Sequence, residues 1–159
     1  MTIKIGFRDF FCLGLLAALT ASLSPAFSAE VTLVPAGATW TYLDDGTDQG
    51  TAWRATAFVD IGWAGGPAQL GYGDSDEATV VGYGPEPGSK YITTYFRHAF
   101  DVADVSQYAC LEVRLVRDDG GIVYLNGEEI WRANMPAGTV DYLTLAAGTV
   151  GGDDESAFQ

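Results

Sequence analysis

Asn126-Gly127 stands between two runs of β-favouring residues, Ile122-Val123-Tyr124-Leu125 and Glu128-Glu129-Ile130-Trp131. A two-residue hairpin turn of type I′ needs positive φ at both central positions, which asparagine and glycine tolerate. Closure over two residues predicts a register with Leu125 opposite Glu128, Tyr124 opposite Glu129, Val123 opposite Ile130 and Ile122 opposite Trp131. Val123, Leu125 and Ile130 then share one face, and Ile122, Tyr124, Glu129 and Trp131 the other. Only one face can meet a core, and the aliphatic one is the better candidate.

The hairpin sits in a chain that is β-rich throughout. From Glu30 onward, short runs of β-formers alternate with Gly, Pro, Asp and Asn clusters, with hardly any apolar spacing at the helical period. Strands are predicted near Val31–Val34, Ala38–Leu43, Ala68–Tyr72, Ala78–Tyr83, Tyr91–Asp101, Ala109–Arg117, Gly121–Leu125, Glu128–Ala133 and Thr139–Ala146. Leu111, Val113 and Leu115 alternate with Glu112 and Arg114, the pattern of a strand with one wet side. The expected class is all-β, an antiparallel β-sandwich. The glycine-rich stretches Gly62–Pro67 and Gly84–Ser89 are too short to link domains, and 159 residues with 48% hydrophobic content suit one core.

The first residues read as an address. Lys4 and Arg8 give a positive start, Phe10–Leu23 is mostly apolar, and Ser24-Pro25 precedes small residues. That is the pattern of a secretory signal peptide over residues 1–28, with Ala26 and Ser28 placing cleavage after Ser28. The apolar run is too short for an anchor, which needs roughly 20 residues, and no later stretch supplies a span. The expected location is therefore secreted or periplasmic, without membrane insertion after cleavage, and the mature module is residues 29–159. Cys110 is then the single cysteine of the mature chain, and its apolar neighbours point to a shielded strand position.

Charge and motif content narrow the function classes. With 21 acidic and 8 basic residues the formal charge is −13, which repels phosphate backbones, so nucleic acid is excluded as an expected partner. The lone histidine, His98, leaves no partners for a triad or a His-ligated metal centre, and reads as a core-edge residue bonded to backbone. Nucleophile elbows, zinc helices, phosphate loops and dinucleotide fingerprints are all lacking in the mature chain. No catalytic constellation is expected.

Several stretches carry a family resemblance when taken together. They are Trp40-Thr41-Tyr42-Leu43-Asp44-Asp45-Gly46, Gly50-Thr51-Ala52-Trp53-Arg54, Gly66–Asp74, Thr94-Tyr95-Phe96-Arg97, Arg117-Asp118-Asp119-Gly120, Val123–Gly127 and Asn134-Met135-Pro136. With them the segment Leu33–Phe158 resembles a galactose-binding-domain-like jelly-roll module of secreted, multidomain bacterial proteins. Similar modules accompany metallophosphoesterases of the purple-acid-phosphatase kind, glycoside hydrolases and cell-surface proteins. The resemblance implies a noncatalytic, carbohydrate-binding-like module, with a polysaccharide, a glycoconjugate or an adjacent catalytic domain of the same polypeptide as partner. It also implies at least one further strand after Phe158, so the chain is expected to be a fragment of a longer protein.

Two candidate sites follow from the residues. Asp44, Asp45 and Asp48 crowd one loop, and carboxylates there are hard oxygen ligands suited to a structural Ca²⁺. They break the EF-hand rule, since counting from Asp44 puts Ala55 where the bidentate Glu should stand, and solvated turn residues are the competing reading. Asp74-Ser75-Asp76-Glu77 and Asp153-Asp154-Glu155 form two further acidic loops. For sugar, the physical device is an aromatic ring stacked on a pyranose face with polar groups to orient it. Tyr124, Glu129 and Trp131 on the noncore hairpin face form such a shallow platform, with cross-strand packing as the alternative. Trp40, Trp53 and Trp63 read as core or loop anchors.

Overall fold

The computed structural model describes Thr2–Gly6 and residues 30–73 and 75–159. Met1 and residues 7–28 of the expected signal segment, Ala29, and Asp74 of the second acidic cluster lie outside the described residues. The molecule is β-rich. Among the described residues ten strands run in chain order: β1 Thr2–Gly6, β2 Thr32–Val34, β3 Thr39–Leu43, β4 Ala64–Pro67, β5 Leu70–Gly71, β6 Thr79–Val80, β7 Tyr95–Arg97, β8 Glu112–Val116, β9 Gly121–Leu125 and β10 Glu128–Ala133. The helical elements of the described residues are two short 3-10 turns, Ala52–Arg54 and Val105–Gln107, and a four-residue helix α1, Asp153–Ser156. Among the described residues no helix is long and apolar enough to cross a membrane.

The strands form four small sheets: β2-β1-β8, β4-β3-β7, the hairpin β9-β10, and the pair β5-β6. All pair antiparallel except β5 and β6, which run parallel through Leu70–Thr79 and Gly71–Val80. One buried cluster joins the four sheets: Val34, Trp40, Ala68, Leu70, Val81, Leu115 and Val123. Leu115 and Val34 have no exposure at all.

The hairpin forms as its turn dictates, with φ of 52° at Asn126 and 94° at Gly127. Leu125 faces Glu128 and Tyr124 faces Glu129 as expected, but a bulge follows and sets Trp131 opposite Val123 and Arg132 opposite Ile122. A bulge adds one residue to one strand and swaps the faces beyond it. Trp131 therefore turns inward and packs against the core cluster. Ile130, expected in the core, is 39% exposed.

Several expected strands shrink or vanish. Tyr91–Asp101 pairs only over Tyr95–Arg97. The Thr93 hydroxyl donates to the Tyr142 carbonyl and the His98 ring bonds the Thr39 carbonyl, so the flanking residues bond outside the ladder. Thr139–Ala146 is a loop rather than a strand. Asp141 accepts from the Leu143 N–H at 3.0 Å and the Thr144 hydroxyl at 2.9 Å, the local bonding by which an aspartate turns the chain instead of extending it. Asp153–Ser156, expected as a loop, is the short helix α1.

Ala64–Pro67, which reads as a glycine-rich connection, is instead a strand pairing with β3. Its glycines have a packing reason: any Cβ at Gly66 would collide with the Thr79 side chain, whose hydroxyl donates to the Pro67 carbonyl at 2.8 Å.

Candidate functional site

The face of the hairpin away from the core builds the site. In β9, Ile122 and Tyr124 share that face, and the bulge brings Glu129 and Arg132 onto it together. In a regular strand, residues three apart point to opposite sides; here Arg132 forms a two-pronged pair with Glu129, Nε to Oε1 and Nη2 to Oε2, both at 2.7 Å. Its Nη1 donates to the Pro136 carbonyl. The hydrogen bond from Arg132 holds the Glu129 carboxyl below its ordinary value, against a smaller opposing effect of burial, and the same bond raises Arg132.

A second element completes the site. The 3-10 turn Ala52–Arg54 brings Trp53 and Arg54 over Tyr124: the Arg54 guanidinium carbon lies 4.2 Å from the Tyr124 ring centre, and Trp53 meets that ring edge-on at 5.6 Å and 85°. Arg97 holds this loop in place. Its guanidinium donates to the carbonyls of Trp53, Ala55 and Phe58 and, at 3.2 Å, to Asp60, whose carboxylate also accepts from Thr41 at 2.9 Å. The Thr41 hydrogen bond chiefly, with Arg97 adding, keeps Asp60 below its ordinary value.

Two recesses meet at Tyr124 and Arg54. The smaller, about 340 Å³, is lined by those two with Glu129, Arg132, Thr139 and Val140 among others. The larger, about 460 Å³, mixes core residues such as Leu115 with Tyr72, Thr93, Arg117 and Asp119. Both fall in the range of small-molecule sites, roughly 300–1,000 Å³. Nε of Arg54 and Nε and Nη1 of Arg117 are buried without a hydrogen-bond partner among the described residues. Such donors favour a ligand or water rich in oxygen acceptors. Burial, with Asp118 and Asp119 nearby, raises the Tyr72 phenol.

Of the platform residues expected from sequence, Tyr124 and Glu129 therefore stand together, while Trp131 is on the opposite face. Arg132, Arg54 and Trp53 were not anticipated there. Opposite charges three apart at Glu129 and Arg132 were the one available signal of the bulge.

In the acidic loop each of the three carboxylates accepts from nearby backbone or hydroxyl donors. Asp44 accepts from the Gly82 N–H, Asp45 from the Thr47 N–H at 2.9 Å and hydroxyl at 2.6 Å, and Asp48 from the Gly50 N–H at 2.7 Å. The Thr47 hydroxyl, then its N–H, lower the Asp45 pKa. Among the described residues no three His, Cys, Asp or Glu are grouped to hold a metal.

His98 lies at the core edge, Nδ1 2.8 Å from the Thr39 carbonyl and its ring 4.9 Å from that of Trp40. Trp40 is buried in the core, and Trp53 and Trp63 pack on buried Tyr95 at 5.1 and 6.2 Å, so all three are anchors. Cys110 is half-buried rather than enclosed.

The Glu129–Arg132 pair sets a pH dependence. Because the native carboxyl is depressed, its stabilisation is fully present above the ordinary value of 4.5 and fades as pH falls through the lower native value. The melting-temperature advantage of the natural protein over Glu129→Gln is expected to shrink on acidification through that window. A difference that stays constant with pH would show that the pair contributes nothing through ionisation.

No protein-family model, curated protein or solved structure matches the chain.

Proposed function

We propose that this chain is a noncatalytic accessory module of an exported protein, an antiparallel β-sandwich of the jelly-roll kind it resembles, that binds carbohydrate of a polysaccharide or glycoconjugate. The observation that supports this reading is the recess around Tyr124. An aromatic ring forms one wall, a paired Glu129 and Arg132 present fixed polar groups, and the Arg54 Nε is a donor awaiting an acceptor. Apolar walls with a few oriented polar groups are how shallow sugar sites work.

Two substitutions separate binding from packing. Tyr124→Ala is expected to abolish retention in affinity electrophoresis on the polysaccharide that retains the natural protein, a loss of tenfold or more in affinity if the ring contributes about 1.4 kcal/mol or more. Trp131→Ala is expected instead to lower the melting temperature, because that ring packs on the core. Equal retention by Tyr124→Ala, or no polysaccharide retained in a broad screen, would sink the sugar reading.

A second reading, a structural module packed on an adjacent catalytic domain, is favoured by a different observation. Val59 and Ile61 on the 55–63 loop are 69% and 91% exposed, apolar side chains left uncovered among the described residues.

A further inference from the structure

The chain holds 21 acidic residues, so no basic side chain lacks a carboxylate for want of supply. Beyond residue 30 the basic side chains are Arg54, Lys90, Arg97, Arg114, Arg117 and Arg132. Arg97 pairs with Asp60 at 3.2 Å, Arg114 with Glu112 at 3.9 Å and Arg132 with Glu129 at 2.7 Å. Arg54, Lys90 and Arg117 have no ion pair among the described residues, and all three line the larger cavity of about 460 Å³. The cations that this acidic chain leaves without a carboxylate are thus gathered in one place.

Each cation is presented differently. Arg117 directly follows β8, and its Nε and Nη1 are buried with no hydrogen-bond partner among the described residues. A guanidinium keeps its charge, and a buried charge without a counter-charge is costly. Arg54 stacks on Tyr124, its guanidinium carbon 4.2 Å from that ring centre and 5.9 Å from the ring of Trp53. The ring takes one face of the guanidinium and leaves the in-plane N–H groups for an acceptor; Nε is buried and has none among the described residues. Lys90 is exposed, 4.5 Å over the Tyr72 ring, and the Tyr72 phenol, raised chiefly by burial, keeps its proton and adds a donor. Of the carboxylates around the cavity, Asp119 accepts from the Val150 N–H at 2.8 Å and Asp141 from the Leu143 N–H and the Thr144 hydroxyl, while Glu77, Asp118 and Glu155 add negative charge to the lining. A singly charged ligand group meets less repulsion from them than a doubly charged phosphate monoester would.

We infer that this cavity binds the carboxylate of an acidic sugar, a uronate, with Arg117 and Arg54 donating to its oxygens and Lys90 adding positive charge. Arginine matches a carboxylate well, and Arg132 already does so with Glu129, Nε to Oε1 and Nη2 to Oε2 at 2.7 Å each. Two of the open donors in the cavity belong to Arg117 and one to Arg54. Three cations in one recess suit a single carboxylate, whereas a nucleic-acid backbone needs a track of them across a surface, so the preference agrees with the acidic character of the chain. Repulsion between the net charge of −13 and an acidic sugar is screened beyond about 8 Å at physiological salt, and contact inside the cavity is not. The sugar rests on the proposed carbohydrate function; the carboxylate is read from the unpaired cations and not from that function.

The test titrates the full chain calorimetrically with trisaccharides of galacturonate, glucuronate and mannuronate, each beside its carboxyl-reduced neutral counterpart, and with a sulfated neutral trisaccharide. At least one uronate is expected to bind about tenfold tighter than its reduced counterpart and than the sulfated sugar, a margin within reach of charge-assisted hydrogen bonds. Arg117→Gln is expected to erase that margin and to melt no lower than the natural chain, because it removes a buried charge that no carboxylate among the described residues offsets. If Arg117→Gln melts lower or fails to fold, Arg117→Lys decides: it keeps the charge, loses the planar donors and is expected to cut the margin at least about threefold. Equal binding of uronates and reduced sugars overturns this inference and leaves the carbohydrate function standing, whereas binding of neither overturns both. Stronger binding of the sulfated sugar, or a uronate margin that survives the loss of the Arg117 guanidinium, overturns the assignment of the cavity.

Discussion

Leu115→Ala is expected to lower the unfolding free energy by about 3–4 kcal/mol, within the span seen when a buried leucine loses its side chain and the surroundings fail to close. Leu115 has no exposure and belongs to the cluster that joins all four sheets. Its Cδ2 would sit only 3.1 Å from a Cβ placed on Gly121, so the backbone of β9 is pressed against it. The same side chain lines the larger cavity of about 460 Å³. Truncation therefore enlarges a space that already exists. The expected fall in melting temperature is roughly 10 °C, at about 2–4 °C per kcal/mol for a domain of this size. Leu115→Met, which nearly conserves volume, should cost less than about 1.5 kcal/mol. A thermal melt of both variants checks the assignment, and a loss under about 1 kcal/mol for the alanine variant would mean that the core is centred elsewhere.

How far such residues were legible depended on whether their role was local. The alternation in Leu111–Leu115 exposes the β8 pattern, and Asn126-Gly127 defines its turn, because both signals lie within a few residues of what they determine. The bulge at Ile130 is different. Only the opposite charges at Glu129 and Arg132 signal an extra residue in Glu128–Ala133; the shift also puts Trp131 on the core, a gain visible only once both faces are known. Gly66 misleads for a related reason. Glycine usually marks a loop, but here it admits Thr79 from a strand twelve or more residues away. The sugar platform was half legible for the same cause: Tyr124 and Glu129 precede the bulge and keep their predicted pairing, whereas Trp131 follows it. Arg54 reaches the site from a different loop, and tertiary approach of that kind leaves no periodicity to read.

Arg97 is the largest such long-range effect, and Arg97→Met is expected to cost about 2–3 kcal/mol and to disable the candidate site together with stability. The Arg97 side chain is 18% exposed, and its guanidinium supports three backbone carbonyls and one carboxylate while stacking 5.1 Å from the Phe58 ring. Methionine keeps much of the stem and removes every donor. Asp60 then retains only its bond from Thr41 among the bonds described above, and the carbonyls of Trp53, Ala55 and Phe58 lose a charged donor. Breaking a buried ion pair costs roughly 3–5 kcal/mol, and the figure here is set lower because the Asp60 side chain is 33% exposed and water can replace part of what is lost. Arg97→Lys preserves the charge but presents a point donor where a planar fork reaches several acceptors, so it should recover less than half of the loss. The functional consequence follows from position: the loop released is the one that sets Trp53 and Arg54 over Tyr124. Fluorescence of the tryptophans and ligand retention should therefore change in Arg97→Met at temperatures well below its melting point. If Arg97→Met melts lower yet holds ligand as the natural protein does, the 52–60 loop is a scaffold for the fold alone and Arg54 has no part in recognition.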